Sequence, residues 1–206
     1  MVERRVYATS KQIHFGTRSC DNRRNHLQHE QARRIVIGTI GSRLAQQQGL
    51  CRGFVIMPDH VDALIWFPET WQLSPCLNKW KEQTSKSLKT VLPQRFQSDW
   101  PQIDSTEPIW QARYYGFNIG SRAKVEEKLD DMHRNPVRAG LVERASDWPW
   151  SSARWYVEQK SAGLPIRWPP GLEADDEFTT DPSWPADEIA SCAYGTRPPS
   201  TGGRAT

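Results

Sequence analysis

Residues 51–67 confine this chain more tightly than any other stretch. Cys51 to Met57 and Val61 to Phe67 are two apolar runs, separated only by Pro58, Asp59 and His60. A link that short reads as a tight connection or bulge, so the two runs are expected to pair as neighbouring strands. The flanks carry a different period. On one side, Glu30 to Gln48 places Ala32, Ile35, Val36, Thr39, Ile40 and Leu44 at three- and four-residue spacing, with Gly49 closing the helix. On the other, Leu73 to Leu92 places Leu77, Trp80, Thr84, Leu88 and Val91 along one side of a second helix.

Outside this frame, Lys11 to Ser19 alternates as a first strand, and Ile109 to Ile119 reads as a fourth, rich in aromatics. Pro93 to Pro108 has no clear periodicity and reads as a loop. Ser121 is a candidate N-cap for a third helix, Arg122 to Arg134, which Asn135-Pro136 breaks or bends. The order β-α-β-β-α-β followed by a helix predicts an α+β fold of the ferredoxin-like split β-α-β type. Its antiparallel sheet would carry helices on one face and be followed by a C-terminal Trp-rich extension, Asp147 to Ser152, read as a lid.

A chain of 206 residues suits one such domain with appendages. The expected division is a domain over 11–156 and a Pro- and acid-rich, partly disordered tail over 157–206. No apolar run approaches the length of a membrane span, and the charged N-terminus lacks a signal-peptide core. Four cysteines at 20, 51, 76 and 192 show neither CxxC nor zinc spacing, so reduced thiols and a cytoplasmic location are expected. The net charge of +3 is uneven. Residues 170–206 hold seven acids and two bases, which leaves 25 bases against 17 acids, or +8, in residues 1–169. A basic body of that kind suits a polyanionic partner.

Three groups of residues could carry chemistry. His60 and Asp62 lie two apart on a strand and share a face, with Val61, Ala63 and Ile65 on the other. Asp131 and Asn135 stand one helical turn apart. Lys79, Arg113, Arg122, Lys124, Arg134 and Arg138 supply a candidate DNA-binding surface. Imidazole, carboxylate and amide together form an N/O set that suits Mg²⁺ or Mn²⁺. Each residue also has a plainer reading. His60 after Pro-Asp can stabilise a turn, Asp62 can face solvent or pair with an arginine, Asp130-Asp131 can be a solvated face, and Asn135 can end a helix.

The blocks Gly53-Phe54-Val55-Ile56-Met57-Pro58-Asp59-His60-Val61, Ile109-Trp110-Gln111 and Asn135-Pro136-Val137-Arg138-Ala139-Gly140-Leu141-Val142 stand in a telling order, followed by Trp148-Pro149-Trp150-Ser151-Ser152-Ala153. Over roughly residues 11–156 this set resembles the REP-associated tyrosine transposases, bacterial relatives of the single-tyrosine HUH transposases. The resemblance implies two metal-binding histidines on the strand, a helical tyrosine nucleophile, and a polar third ligand one turn later. It also implies cleavage of single-stranded DNA through a 5′-phosphotyrosine beside a recognised hairpin.

Carried over position by position, the first histidine is His60, the second falls on Asp62, and the third ligand falls on Asn135. The nucleophile position falls on Asp131, within Asp-Met-His-Arg-Asn-Pro, where the family has Tyr-x-x-x-Asn-Pro. Two of four chemical positions therefore depart from the pattern. The resulting expectation is a transposase-family protein that binds single-stranded or hairpin DNA with cleavage impaired. The alternative is an active metal-dependent nickase that uses a displaced tyrosine (Tyr114 or Tyr115) or a water activated where Asp131 joins the metal ligands. Monomer and homodimer are both left open.

Overall fold

The computed structural model describes residues 13–69, 71–95 and 107–170. The elements run β1 (Ile13–Ser19), α1 (Glu30–Gln46), β2 (Leu50–Ile56), β3 (His60–Trp66), α2 (Leu73–Arg95), β4 (Tyr115–Ile119), α3 (Arg122–His133), α4 (Asn135–Arg138) and α5 (Ala153–Glu158). The four strands form one sheet in the order β2-β3-β1-β4, antiparallel at every pairing. This is the split β-α-β topology that the order of elements predicts. The β2–β3 hairpin closes where the Met57 amide donates to the His60 carbonyl at 2.8 Å.

Strand alternation sends Val61 and Ile65 to one side, into a core with Val36, Ile40, Leu44, Leu73, Trp80 and Leu88 of α1 and α2. Leu64 and Trp66 go to the other side and pack with Val125, Leu129 and Met132 of α3. The single helical face expected from the pattern thus holds for α1 and α2, while α3 covers the opposite face. Close approach of α3 depends on Gly53: a Cβ there would stand 2.3 Å from Leu129 Cδ2 and 2.7 Å from Met132 Cε. Among the described residues no helix is long and apolar enough to cross a membrane.

Four expectations are corrected. The loop predicted from Pro93 begins later, because α2 continues through Pro93 to Arg95; the proline removes one amide bond to the preceding turn, with only two helical residues left beyond it. The remainder of that loop, residues 96–106, lies outside the described residues. The fourth strand begins at Tyr115 rather than Ile109. Trp110 bridges Cys20 and Tyr115 pairs with Thr17, so five steps on one strand face three on the other, and residues 111–114 bulge out of the ladder.

The Trp-rich segment is not a lid. Ile56 N donates to Trp150 O, Ser152 N to Phe54 O and Trp148 Nε1 to Ile56 O, so it lines the outer edge of β2. Farther along, Arg167 N donates to Cys51 O, which covers the rest of that edge and removes a free row of backbone donors and acceptors. Finally, the folded unit does not stop at 156: Ala162, Leu164 and Ile166 are buried in the α1/α2 core. Residues 171–206, most of the expected tail, lie outside the described residues.

His133 ties α3 to this edge. Its ring is buried, lies 2.7 Å from Ser152 Oγ, and contacts the Tyr156 ring at 5.4 Å. Burial, then the nearby Arg52 charge, push its pKa down to about 3. The unfolded chain takes up this proton near pH 6.5 and the folded chain does not. The stability it contributes is therefore present above pH 6.5 and falls with acidification by about 1.4 kcal/mol per pH unit. Urea unfolding at pH 7.5 and pH 5 should show a loss that His133→Gln reduces by about one proton's worth. Equal slopes in both proteins would contradict the assignment.

Candidate functional site

His60 opens β3, and Asp62 follows two residues later on the same face, 4% exposed. An unpaired carboxylate at that depth would cost several kcal/mol. Asp62 is not unpaired. Thr17 Oγ1, its cross-strand neighbour on β1, donates to Oδ1 at 2.6 Å. Asn135 Nδ2, at the start of α4, donates to Oδ2 at 2.9 Å, and His60 Nε2 lies 3.6 Å from the same oxygen. On the far side of the imidazole, Nδ1 meets Asp59 Oδ1 at 2.6 Å. Burial opposes a charge on His60, but the carboxylates of Asp62 and Asp59 together outweigh it and raise the pKa. The solvent-facing and arginine-paired readings of Asp62 therefore both fail.

Asp59 does for His60 what an outer carboxylate commonly does for a ligating histidine: it fixes the tautomer and leaves Nε2 toward the site. Neither Asp59 nor Thr17 was picked out by sequence reading. Asp59 adjoins His60 and was open to notice; Thr17 is linked to Asp62 only by strand register, which no local pattern carries.

Asp131 does not join this group. It is 47% exposed by side chain, 2.7 Å from Lys128 Nζ, and lies 3.7 Å from Arg138 Nη2. The Lys128 hydrogen bond holds its carboxyl below the usual range, against some burial. The i, i+4 spacing that suggested a shared face with Asn135 is interrupted, since α3 ends at His133 and Asn135 begins α4. The structure thus unites His60, Asp62 and Asn135 and leaves Asp131 in an ion-paired helix surface.

The six basic candidates do not form one patch. Lys79 lies on α2, across the sheet from α3, and pairs with Glu82 at 2.8 Å. On the other layer Arg122 pairs with Glu126, Lys124 with Glu127, Arg134 with Asp130 and Arg138 with Asp131. Arg113 stands exposed in the bulge before β4. Of the two tyrosines near that bulge, Tyr114 faces the α1/α2 side against Arg18, with 5.1 Å from guanidinium to ring centre. Tyr115 is 57% exposed and pairs with Thr17, which in turn pairs with Asp62. Tyr115, Thr17 and Asp62 therefore form one row across the site face, with Tyr115 about 10 Å from Asp62 by strand spacing.

Among the described residues no group of three or more His, Cys, Asp and Glu is placed to hold a metal ion. What does converge is one imidazole nitrogen, one carboxylate oxygen and one side-chain amide, a donor set that fits a hard divalent cation.

The profile of the family described as "Transposase IS200 like" matches residues 9–129. A Haemophilus influenzae protein named "Putative REP-associated tyrosine transposase" is 28% identical over 118 residues, covering 55% of this chain and 62% of that protein. The chain thus aligns with less than two thirds of that relative's length. The "REP-associated tyrosine transposase" of Escherichia coli K12 is 24% identical over 172 residues, covering 82% of this chain and 91% of that one. A solved REP-associated tyrosine transposase bound to a REP hairpin superposes with a TM-score of 0.62 at 23% identity, covering 84% of this chain and 93% of that one. At that identity the likeness establishes a shared fold.

Proposed function

The chain belongs to the IS200-like transposase family, and from that premise we propose that it binds single-stranded or hairpin DNA without the covalent cleavage step. The observation that carries this reading is the pairing of Asp131 with Lys128 and Arg138 where the family resemblance expects a tyrosine. A carboxylate attacking phosphate would give an acyl phosphate, which hydrolyses readily and cannot store a strand for rejoining. The solved relative bound to a REP hairpin and the basic body of the chain support hairpin DNA as the partner.

His60, Asp62 and Asn135 are the residues that would hold Mg²⁺ or Mn²⁺. Such an ion supplies charge neutralisation at a phosphate. Asp62 orients His60, Asp59 sets its tautomer, and Thr17 and Asn135 keep the Asp62 carboxylate fixed.

Labelled hairpin DNA titrated at several salt concentrations tests the binding. The affinity should fall steeply with salt, by about 0.7–0.9 log units per log unit for each phosphate contacted, while one hairpin stays preferred over unrelated duplex. Equal affinity for every polyanion would sink the reading. A second reading is favoured by one observation, the exposure of Tyr115 on the same row as Asp62. In that reading Tyr115 is a displaced nucleophile, and a covalent DNA adduct formed by the natural chain and lost in Tyr115→Phe would establish it.

A further inference from the structure

On the sheet face opposite His60 and Asp62, β1 and β4 carry a short polar row with a gap at its centre. His14 pairs with Asn118 across the strands, Gly16 with Gly116, and Arg18 stacks on Tyr114 just beyond. His14 Nδ1 and Asn118 Oδ1 stand 2.6 Å apart. Between these two ends Gly16 leaves a slot, walled by Ala63 of β3 and by Leu77 and Trp80 of α2. The Tyr114 ring lies over Gly116, where a Cβ would stand 2.9 Å from its Cε2. The gap is real at Gly16: a Cβ there would meet nothing nearer than the Tyr115 carbonyl at 3.9 Å.

Arg18 is what makes this slot more than a packing defect. It lines the slot, is 6% exposed, and its Nε is buried with no hydrogen-bond partner. Among the described residues no carboxylate pairs with it, and its guanidinium lies over the Tyr114 ring at 5.1 Å. A buried guanidinium without an acid is costly and is seldom kept for stability. A second cation stands by it, since Lys81 donates to the Gln111 and Ala112 carbonyls of the bulge and feels the Arg18 charge. The slot therefore offers an uncompensated positive end, a floor bare of side chain at Gly16, aromatic walls in Tyr114 and Trp80, and a His–Asn pair at the far end.

We propose that this slot takes a single unpaired deoxynucleotide, with its phosphate at Arg18 and Lys81 and its base over Gly16, beside the Tyr114 ring. Flat, apolar-faced and edged with donors and acceptors, a base matches that floor and the His14–Asn118 end, and its phosphate supplies the missing anion. A nucleotide of single-stranded DNA and a free nucleotide share this chemistry. The choice of DNA rests on the function proposed above. The slot and the His60–Asp62–Asn135 group lie on opposite faces, so one strand of DNA reaches both by passing over an edge of the sheet. β4, with exposed Tyr115, is the edge beside the slot.

Two variants test the proposal in the full chain. Gly16→Val fills the slot at a position with room for a side chain. Arg18→Met keeps the length of the side chain and removes the charge. Saturation-transfer NMR with the four deoxynucleoside 5′-monophosphates should show saturable binding to the natural chain, weakened at least tenfold in each variant. Arg18→Met should also melt at the same or a higher temperature, whereas an arginine kept for structure would lower it. In a second arm, a hairpin with a single-stranded extension should bind more tightly than the same hairpin blunt-ended, and both variants should lose that difference.

Absence of saturable nucleotide binding up to millimolar concentrations would overturn the proposal, as would unchanged binding in both variants. Inorganic phosphate binding as tightly as the nucleotides would overturn it too, by reducing the slot to an anion site. Failure of the blunt hairpin to bind the natural chain would count against the DNA-binding function; the nucleotide titration judges the slot independently.

Discussion

Restoring both departed positions together, Asp62→His with Asp131→Tyr, is expected to produce a covalent protein–DNA adduct that the natural chain does not form. Removing a nucleophile and its partners elsewhere costs on the order of 10⁴-fold or more in rate, so the gain should run from undetectable to visible. Neither single change should suffice. With Asp131→Tyr alone, a phenol stands on α3, but Asp62 keeps its bonds to Thr17 and Asn135 and the site still lacks a second imidazole. With Asp62→His alone, two histidines share a face and nothing attacks. Groups that act as a unit restore activity as a unit.

The double change is also structurally tolerable. Asp131 is half exposed, so a tyrosine there needs no new cavity, and it frees Lys128 and Arg138 from their shared acid. Asp62→His costs more, because Thr17 Oγ1 and Asn135 Nδ2 lose the carboxylate they now share, and an imidazole can accept from only one of them. An SDS-stable band on single-stranded hairpin DNA with Mn²⁺ is the readout, with Tyr115→Phe in both backgrounds. A band from the natural chain would refute the loss of cleavage. A folded, hairpin-binding double variant that gives no band would show that the position of α3, and not residue 131 alone, blocks the reaction.

Most of the scaffold was legible because its elements are periodic and its turns are short. The β2–β3 hairpin follows from two apolar runs with three residues between them, and α1 from Ala32, Val36, Ile40 and Leu44, all buried at four-residue steps. What local pattern could not show was long-range register. The bulge at 111–114 depends on where Trp110 and Tyr115 each meet β1, and the edge-covering role of Trp148 to Ser152 depends on β2 being an edge.

The same division runs through the site. His60 and Asp62 share a face because strands alternate, and the structure keeps them together. Asp131 and Asn135 were joined by helical spacing, which the break between α3 and α4 undoes. Thr17 was invisible because its link to Asp62 crosses 45 residues. The ion pairs that neutralise α3 were readable in retrospect, as acids and bases three and four apart along 122–138.

Trp110→Ala is expected to be the most destabilising single change to the scaffold, at about 3–5 kcal/mol. Trp110 is 1% exposed, tilts against Trp80 with ring centres 4.9 Å apart, and donates from Nε1 to Thr84 Oγ1 at 2.9 Å. Deleting the indole opens a cavity between the 108–111 segment and α2, and the Cys20 bridge that sets the approach to β4 loses its anchor. Against a typical total of about 5–15 kcal/mol, that leaves a marginal fold. Trp110→Phe should keep most of the packing and lose the N–H bond, for about 1–2 kcal/mol. Urea midpoints at constant slope measure both. The result also decides what the tryptophans are for. A base-stacking Trp110 would cost DNA affinity and little stability on truncation. A core Trp110 costs stability first, and its burial against Trp80 places it in the second class.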